Sequence, residues 1–467
     1  MRLRARGLIP SLMIAAAVLS ATEPSLAGGP EDLQRAARVL EGFRTTGFRD
    51  EGAYRILAEL LRRSGHRLSG SPGADSAVAV TAEMMRRFGA DSVWLEPVKV
   101  PRWVRGKSER ALLLSAKNRI PLSVCALGGS IGTPPAGITA GVVEVRSFEE
   151  LRSLGEAARG KIIFFNRPMD PSIVNTFEAY GGAVDQRSAG AVAAARAGGV
   201  ATIVRSVTTA LDDVPHTGSL GYAETVRKIP AAAVSTVGAN LLSAELKSNP
   251  GLRLRLTLSC ETLPDVPSAN VIGEIRGSEK PDEIVVVGGH LDSWDKGTGA
   301  HDNGAGCAQA IEVLRLFRDL GLKPRRTVRA VMFMNEENGT RGGRGYAEDP
   351  RRRTERHVAL LECDRGGFAP RGFAVEADSG VLSKVREWGV LFDALNAGQI
   401  RKGSGGVDIS FMAKTGVPAF GLVVEMQRYF DYHHSANDTL EAVHPRELEL
   451  GAIASALLCY LITEHGL

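Results

Sequence analysis

Cysteine is scarce in this sequence: the 467 residues include five, widely spaced and without a CxxC pair. Disulfide-held secreted domains and zinc sites built on cysteine both need closely paired thiols. The sequence therefore excludes both classes, and most of the five thiols are expected to behave as small buried hydrophobes. Export of the chain would leave room for a single disulfide.

A large charge excess is also missing. Lys and Arg number 57 and Asp and Glu number 53, so the formal net charge is +4. This balance gives no reason to expect a nucleic acid or a membrane surface as a partner. With 44% hydrophobic and 24% charged residues, the composition is that of a soluble globular chain with two or three domains.

Apolar runs long enough to span a bilayer comfortably are absent as well. Three arginines precede an apolar segment at 8–19, and Ser25-Leu26-Ala27 follows as a small-x-small cleavage site. This order predicts an export signal over 1–27, and a mature protein that is secreted or periplasmic and not membrane-bound. An uncleaved anchor is the alternative. The apolar stretch 450–463 predicts a buried terminal helix.

Periodicity divides the rest of the chain into regions. Apolar residues at three- and four-residue spacing predict helices over 31–48, 52–63 and 75–88, and alternation predicts a strand over 93–100. Between about 122 and 263 the chain carries Gly, Pro and short apolar runs. This texture predicts a separate β-rich module with one or two helices.

From residue 269 onward, strands alternate with helices. The continuous apolar run 284–287 is typical of a strand buried on both faces, and further strands are predicted over 328–334, 357–361 and 419–424. Such alternation predicts an α/β fold with a mostly parallel central sheet and helices on both faces. Binding sites in such folds lie at the carboxyl ends of the strands.

Side chains that can bind a metal follow these strands. The five are His290, Asp302, Glu337, Asp364 and His434. One such residue alone would indicate a cap or a satisfied polar group. Five that converge on one sheet edge indicate a metal site, and His combined with carboxylates suits Zn²⁺.

The number of donors favours two zinc ions per chain. Two His and three carboxylates exceed one tetrahedral site that keeps an open position. If Asp302 bridges, one zinc takes His290, Asp302 and Asp364, and the other takes Asp302, Glu337 and His434. Two metals about 3.5–4 Å apart stabilise both the attacking oxygen and the developing oxyanion.

Two further carboxylates are assigned catalytic roles. Glu336 precedes Glu337, and successive side chains at a strand end point to different sides, so Glu336 is expected to face the substrate. There it can take a proton from a water that bridges the metals and pass it to the leaving amine. Asp292 is expected to accept the free ring N–H of His290 and fix its tautomer.

These motifs carry a resemblance. The series His290-x-Asp292, Asp302, Glu336-Glu337, Asp364 and His434 resembles the zinc aminopeptidase family with two co-catalytic metals. The resemblance implies the zinc-exopeptidase α/β/α sandwich, with a protease-associated domain inserted at 123–262 between peptidase parts at 28–122 and 263–467. It also implies the same metal and base roles, unblocked dipeptides as substrates, a homodimer, and a cis peptide after Asp302.

The sequence departs from the family pattern near the metals. Asn303 stands where a second Asp is usual, and His301 and Arg365 stand where apolar and small residues are usual. Arg365 is expected either to bind a substrate carboxylate or to make a surface pair. His301 and the insert's His216 are further candidates for binding the substrate.

Two other functions use a similar scaffold. A glutaminyl cyclase works with one zinc, and the predicted insert argues against it. A catalytically inactive, receptor-like binding protein would have no need of the intact ligand set. Metal analysis separates the receptor from the enzymes, and release of amino acids from dipeptides separates the peptidase from the cyclase.

Overall fold

The computed structural model describes residues 30–115 and 118–467, so the predicted export signal at 1–27 lies outside the described residues. Helices and strands are numbered in chain order. The helices are α1 Pro30–Asp50, α2 Gly52–Ser64, α3 Pro72–Arg87, α4 Phe148–Ser153, α5 Thr176–Gly181, α6 Asp185–Ser188, α7 Gly190–Arg196, α8 Thr236–Ser248, α9 Ala305–Asp319, α10 Arg341–Glu348, α11 Ser379–Glu387, α12 Gly389–Asp393, α13 Ser410–Ala413, α14 Tyr429–Tyr432 and α15 Pro445–His465. The strands are β1 Ser92–Val104, β2 Glu109–Leu114, β3 Arg119–Leu122, β4 Val124–Ala126, β5 Ile138–Val145, β6 Ile162–Phe165, β7 Ala201–Arg205, β8 Ala231–Val234, β9 Arg253–Leu258, β10 Glu261–Ile275, β11 Lys280–His290, β12 Arg326–Phe333, β13 Arg356–Glu362, β14 Pro370–Glu376, β15 Gln399–Lys402 and β16 Ala419–Val424.

The first sheet has the strand order β1-β10-β12-β11-β13-β16-β14-β15. Its centre, β12-β11-β13-β16, is parallel, as predicted. Antiparallel pairs flank this centre: β10 pairs antiparallel with β1 and β12, and β14 pairs antiparallel with β16, while the edge strand β15 pairs parallel with β14. The sheet is therefore mixed, and the parallel pairing is confined mainly to the strands that carry the candidate site.

Strand β11 is buried on both faces, which explains its unbroken apolar run. Ile284 and Val286 join a core cluster with side chains of α10 and α13, whereas Val285 and Val287 join the cluster that includes α9 and α15. Full burial of each such side chain contributes about 1.5–3 kcal/mol. Helices thus cover both faces of the sheet, and the predicted α/β/α sandwich is confirmed.

The second sheet has the order β3-β2-β9-β5-β6-β7-β8-β4 and its own apolar clusters. Strands β2 and β3 belong to it although they precede residue 123. The boundary predicted at 123 left both strands out of the insert, because they are short, with six and four residues. We therefore propose that the second module starts before β2 and not at 123.

Helix α15 is the predicted terminal helix, and it lies in the core. It is long and apolar enough to span a membrane, but 83% of its most apolar stretch is buried inside the fold. Its neighbours are α9, α1 and α2. The apolar stretch at 450–463 is therefore explained by packing within the domain.

Two buried carboxyl groups meet where α9, α15 and α2 pack together. Glu312 accepts hydrogen bonds from Arg315 at 2.6 and 2.7 Å, and Glu449 accepts one from the Ala53 N–H at 2.9 Å. Burial, and next the Glu312 charge, raise the pKa of Glu449 to about 9. Glu449 is therefore protonated at neutral pH in the folded protein.

This pair predicts a pH-dependent stability effect. Between the ordinary Glu value near 4.5 and about 9, the folded state keeps a proton that the unfolded chain has lost, so stability falls as pH rises. Glu449→Gln is neutral at every pH and therefore removes this loss. We expect the variant to unfold at least about 2 °C above the wild type at pH 8, corresponding to about 1 kcal/mol, with a smaller difference at pH 5. Thermal unfolding of the variant beside Glu447→Gln checks this, and an equal gain at both pH values would contradict it.

Candidate metal centre

The candidate ligands lie at one edge of the first sheet, where its parallel strands end. His290 is the last residue of β11, and Asp364 lies two residues beyond β13. Asp302 precedes α9, Glu337 follows β12, and His434 follows α14. The carboxyl ends of parallel strands share one edge, so residues distant in sequence are brought together there.

The geometry separates the five side chains into two groups around Asp302. His290 Nε2 is 3.1 Å from Asp302 Oδ1 and 3.3 Å from Asp364 Oδ1. His434 Nε2 is 3.2 Å from Asp302 Oδ2 and 3.0 Å from Glu337 Oε2. Each oxygen of Asp302 thus faces one group, as a bridging ligand requires.

The residues fit a pair of zinc ions. Donor atoms of His290, Asp302 and Asp364 lie within 4.8 Å of one another. Glu337 Oε1 and Asp364 Oδ1 are buried without a hydrogen-bond partner among the described residues. Three carboxylates, two of them with an unpaired oxygen, and two imidazoles form a donor set whose negative charge a divalent ion such as zinc would balance.

Glu336 differs from its neighbour Glu337 in exposure. Glu337 is 7% exposed, whereas Glu336 is half-buried and no hydrogen bond to its carboxylate occurs among the described residues. Burial raises the pKa of Glu336 well above its usual range; His290 opposes this increase, and Asp364 adds to it. The Glu336 carboxylate therefore lies beside the centre without a hydrogen-bond partner among the described residues, and burial favours its protonated form.

Asp292 supports Glu336 and Glu337 instead of His290. Its carboxylate accepts the backbone N–H groups of Asn335 and Glu336 at 2.8 and 2.9 Å, and of Glu337 at 3.3 Å. The predicted contact with the His290 ring is long, 3.8 Å, and the ring faces the backbone carbonyl of Asp292 at 3.0 Å. The predicted role in fixing the tautomer therefore belongs to that carbonyl, while the side chain orders the Glu336 loop.

The loop that carries Asp302 is fixed by backbone hydrogen bonds. The Asp302–Asn303 peptide is cis, in agreement with the resemblance. Asp438 accepts the N–H groups of His301 and Asp302 at 2.7 and 3.1 Å. The amide of Asn303 donates to the Cys363 carbonyl at 2.8 Å, next to Asp364. An ionised Asp at position 303 has no N–H and could not donate this bond. The presence of Asn303 instead of the usual Asp therefore stabilises the contact with Cys363.

Two of the three predicted substrate-binding residues, His301 and His216, make contacts within the protein. Nδ1 of His301 accepts the Gly367 N–H at 3.1 Å, its Nε2 lies 3.2 Å from the Ala442 carbonyl, and the ring stacks on Phe368. His216 is buried, and its Nδ1 lies 2.7 Å from the His433 carbonyl. Burial lowers the pKa of both rings to about 4. Both rings thus join segments that are distant in sequence, and their assignment to substrate binding stays a prediction.

Arg365 remains a candidate for binding a substrate carboxylate. It is half-buried beside Asp364, its guanidinium lies 5.6 Å from the Phe177 ring centre, and it makes no ion pair among the described residues. Side-chain exposure of Asp364 is 20%, against 1% for His290. The centre therefore opens towards Asp364, Glu336 and Arg365.

Two further residues lie beside the centre: His433, which directly precedes the predicted ligand His434, and Arg67, which the sequence motifs did not reveal. His433 stacks on His434 with ring centres 3.5 Å apart, and its Nε2 is 3.7 Å from Asp302 Oδ2. Arg67 is fully buried and donates to the carbonyls of Leu291, Thr298 and Gly299. The segment Leu68-Ser69-Gly70-Ser71, which follows Arg67, is one of the stretches that resemble the family. Ser69 in this segment donates a hydrogen bond to Asp292 at 3.0 Å.

Comparison with known proteins agrees with this geometry. Residues 270–458 match the model described as Peptidase family M28. Carboxypeptidase Q of Bos taurus is 36% identical over 412 residues, which cover 88% of this chain and 85% of the relative. Carboxypeptidase Q of Homo sapiens is 35% identical over 428 residues, covering 92% and 89%.

Solved structures give the same result. A Peptidase M28 precursor from Shewanella amazonensis SB2B superposes with a TM-score of 0.88 at 35% identity, covering 92% of this chain and 97% of that one. A zinc aminopeptidase from Bacillus subtilis shares the fold, with a TM-score of 0.64 at 19% identity over 88% and 95% of the two chains. The resemblance inferred from the sequence motifs is thus confirmed.

Proposed function

This chain belongs to peptidase family M28 and is a metallopeptidase, and on that premise we propose that it is a dizinc exopeptidase that hydrolyses dipeptides and short peptides with free termini. The observation that supports this proposal most strongly is the arrangement around Asp302. One carboxylate faces two separate His–carboxylate pairs, and the free Glu336 stands beside them. His and carboxylate donors favour zinc.

We propose that His290, Asp302 and Asp364 hold one zinc, and that Asp302, Glu337 and His434 hold the other. When bound, the ions supply Lewis-acid polarisation and allow a water nucleophile to form at neutral pH. Glu336 accepts the proton from the attacking water and donates it to the leaving amine. Asp292 keeps Glu336 in place through the backbone of the Asn335–Glu337 turn.

The charge pattern at the opening supports a preference for small substrates. A peptide ammonium is attracted to the carboxylate-rich centre. Arg365, free of ion pairs among the described residues, suits a terminal carboxylate. Binding of both charged termini would favour short substrates, which supports exopeptidase rather than internal cleavage.

N-acetylation of a dipeptide substrate tests this proposal. Removing the ammonium leaves a buried polar group without its partner, at a cost of about 1–3 kcal/mol, so kcat/KM should fall at least about tenfold. Exchanging the side chains should have smaller effects. The measurement is amino acid release from matched free and blocked dipeptides; equal turnover, or efficient internal cleavage of long chains, would contradict the exopeptidase assignment.

Three wider features belong to the same proposal. The basic and apolar N-terminal pattern supports export, to a secreted or periplasmic location. The family resemblance supports a homodimer, and it supports assignment of the second module as a protease-associated domain.

A further inference from the structure

The second module contacts the chain segment that carries His434. We call residues 426–437 the His434 segment. Besides a contact of Arg187 with the His434 ring, six side-chain hydrogen bonds join it to residues 174–216 of the module. They are Thr176 Oγ1 to the Met426 carbonyl (2.8 Å), Gln427 Nε2 to the Val174 carbonyl (2.8 Å), Thr208 Oγ1 to the Phe430 carbonyl (2.6 Å), Thr209 Oγ1 to Asp431 (2.9 Å), His216 Nδ1 to the His433 carbonyl (2.7 Å) and Asn437 Nδ2 to Asp212 (3.2 Å).

The contacts extend to the backbone and ring of His434 itself. The Thr217 N–H donates to the His434 carbonyl at 2.9 Å. Arg187 is 8% exposed, donates to the Tyr180 hydroxyl at 2.7 Å, and places Nη1 3.5 Å from His434 Nδ1. A Cβ on Gly218 would lie 2.5 Å from Arg187 Cζ, so glycine is required for this approach. The module thus contacts both the backbone and the ring of His434.

The other half of the centre is built differently. His290 ends the central strand β11, its Nδ1 faces the carbonyl of Asp292, and Asp364 follows the adjacent strand β13. All of these groups belong to the first domain. One donor pair is therefore positioned by the sheet alone, whereas the pair with His434 also depends on the second module.

We infer that the second module positions His434, with Thr208 and His216 as positioning residues, so that its docking is coupled to metal binding at Glu337 and His434 and not at His290 and Asp364. This inference rests on the proposed two-zinc centre. By thermodynamic reciprocity, metal bound at Glu337 and His434 also strengthens docking of the module. Loss of a partner outside the ligand set typically costs about 10–100-fold in metal affinity.

Zinc titration of the metal-free protein against a competing chelator tests the inference. Thr208→Val preserves shape and removes the bond to the His434 segment, together with the acceptor of the Ala210 N–H inside the module. Its matched control is Thr202→Val, which removes a 3.0 Å bond to the Ile163 carbonyl inside the module. We expect Thr208→Val to bind one zinc as the wild type does and the other at least about tenfold more weakly, while Thr202→Val binds both normally.

A second variant, His216→Phe, and measurements in a Glu337→Gln background test the same inference independently. His216→Phe keeps the ring and removes its N–H, and should give the same one-site loss if Thr208→Val does not fold. In a Glu337→Gln background, Thr208→Val should change the remaining affinity less than twofold. Equal weakening at both sites, no weakening, or the same effect from Thr202→Val overturns the inference. A wild-type protein that binds fewer than two zinc ions contradicts the proposed centre itself, and this inference with it.

Discussion

Glu336→Gln should reduce kcat by a factor of about 10²–10⁴ while both zinc ions remain bound. The amide has the size of the carboxylate but cannot accept the proton of the attacking water. Asp292 binds the backbone at this position and not the Glu336 side chain, so the loop should keep its conformation. Steady-state kinetics with a free dipeptide and metal analysis of the same preparation check both parts.

The adjacent residue, Glu337, provides the comparison for Glu336→Gln. Glu337→Gln should lose activity together with one zinc, because Glu337 Oε2 lies 3.0 Å from His434 Nε2 within the donor set. The exposed Glu348→Gln should change neither activity nor metal content. If Glu336→Gln and Glu337→Gln behave alike, the division of roles between the two glutamates is wrong.

Asp302→Asn should abolish activity to the level of the chelated protein. Its two oxygens face His290 and His434 at 3.1 and 3.2 Å, and a neutral amide cannot balance two divalent ions. Zinc content should fall below one per chain, in contrast to Glu337→Gln. Metal analysis after dialysis, with thermal unfolding of the metal-free forms to verify folding, measures this. An Asp302→Asn protein that retains two zinc ions would show that this carboxylate is not the bridge.

The sequence predicted those parts of the site that depend on strand order. Apolar runs revealed the buried strands, and the residues after them were His290, Glu336 and Asp364. Because parallel strands end at one edge, position in sequence was enough to bring these side chains together. The predicted α/β/α sandwich followed from the same alternation.

Contacts between distant segments could not be predicted in this way. His301 looked available to substrate, but Phe368 and the Gly367 N–H occupy its ring. Arg187 lies 247 positions before His434 and offered no local pattern. The antiparallel strand β10 was missed because its first half is polar and exposed and lacks a continuous apolar run.

Zinc counted per chain, together with the activity that depends on it, tests the central claim most directly. Purified protein after mild dialysis should contain close to two zinc ions per chain. Chelation should abolish dipeptide hydrolysis, and added zinc should restore it, with full activity at two equivalents. Full hydrolytic activity in protein that contains no metal would contradict the account.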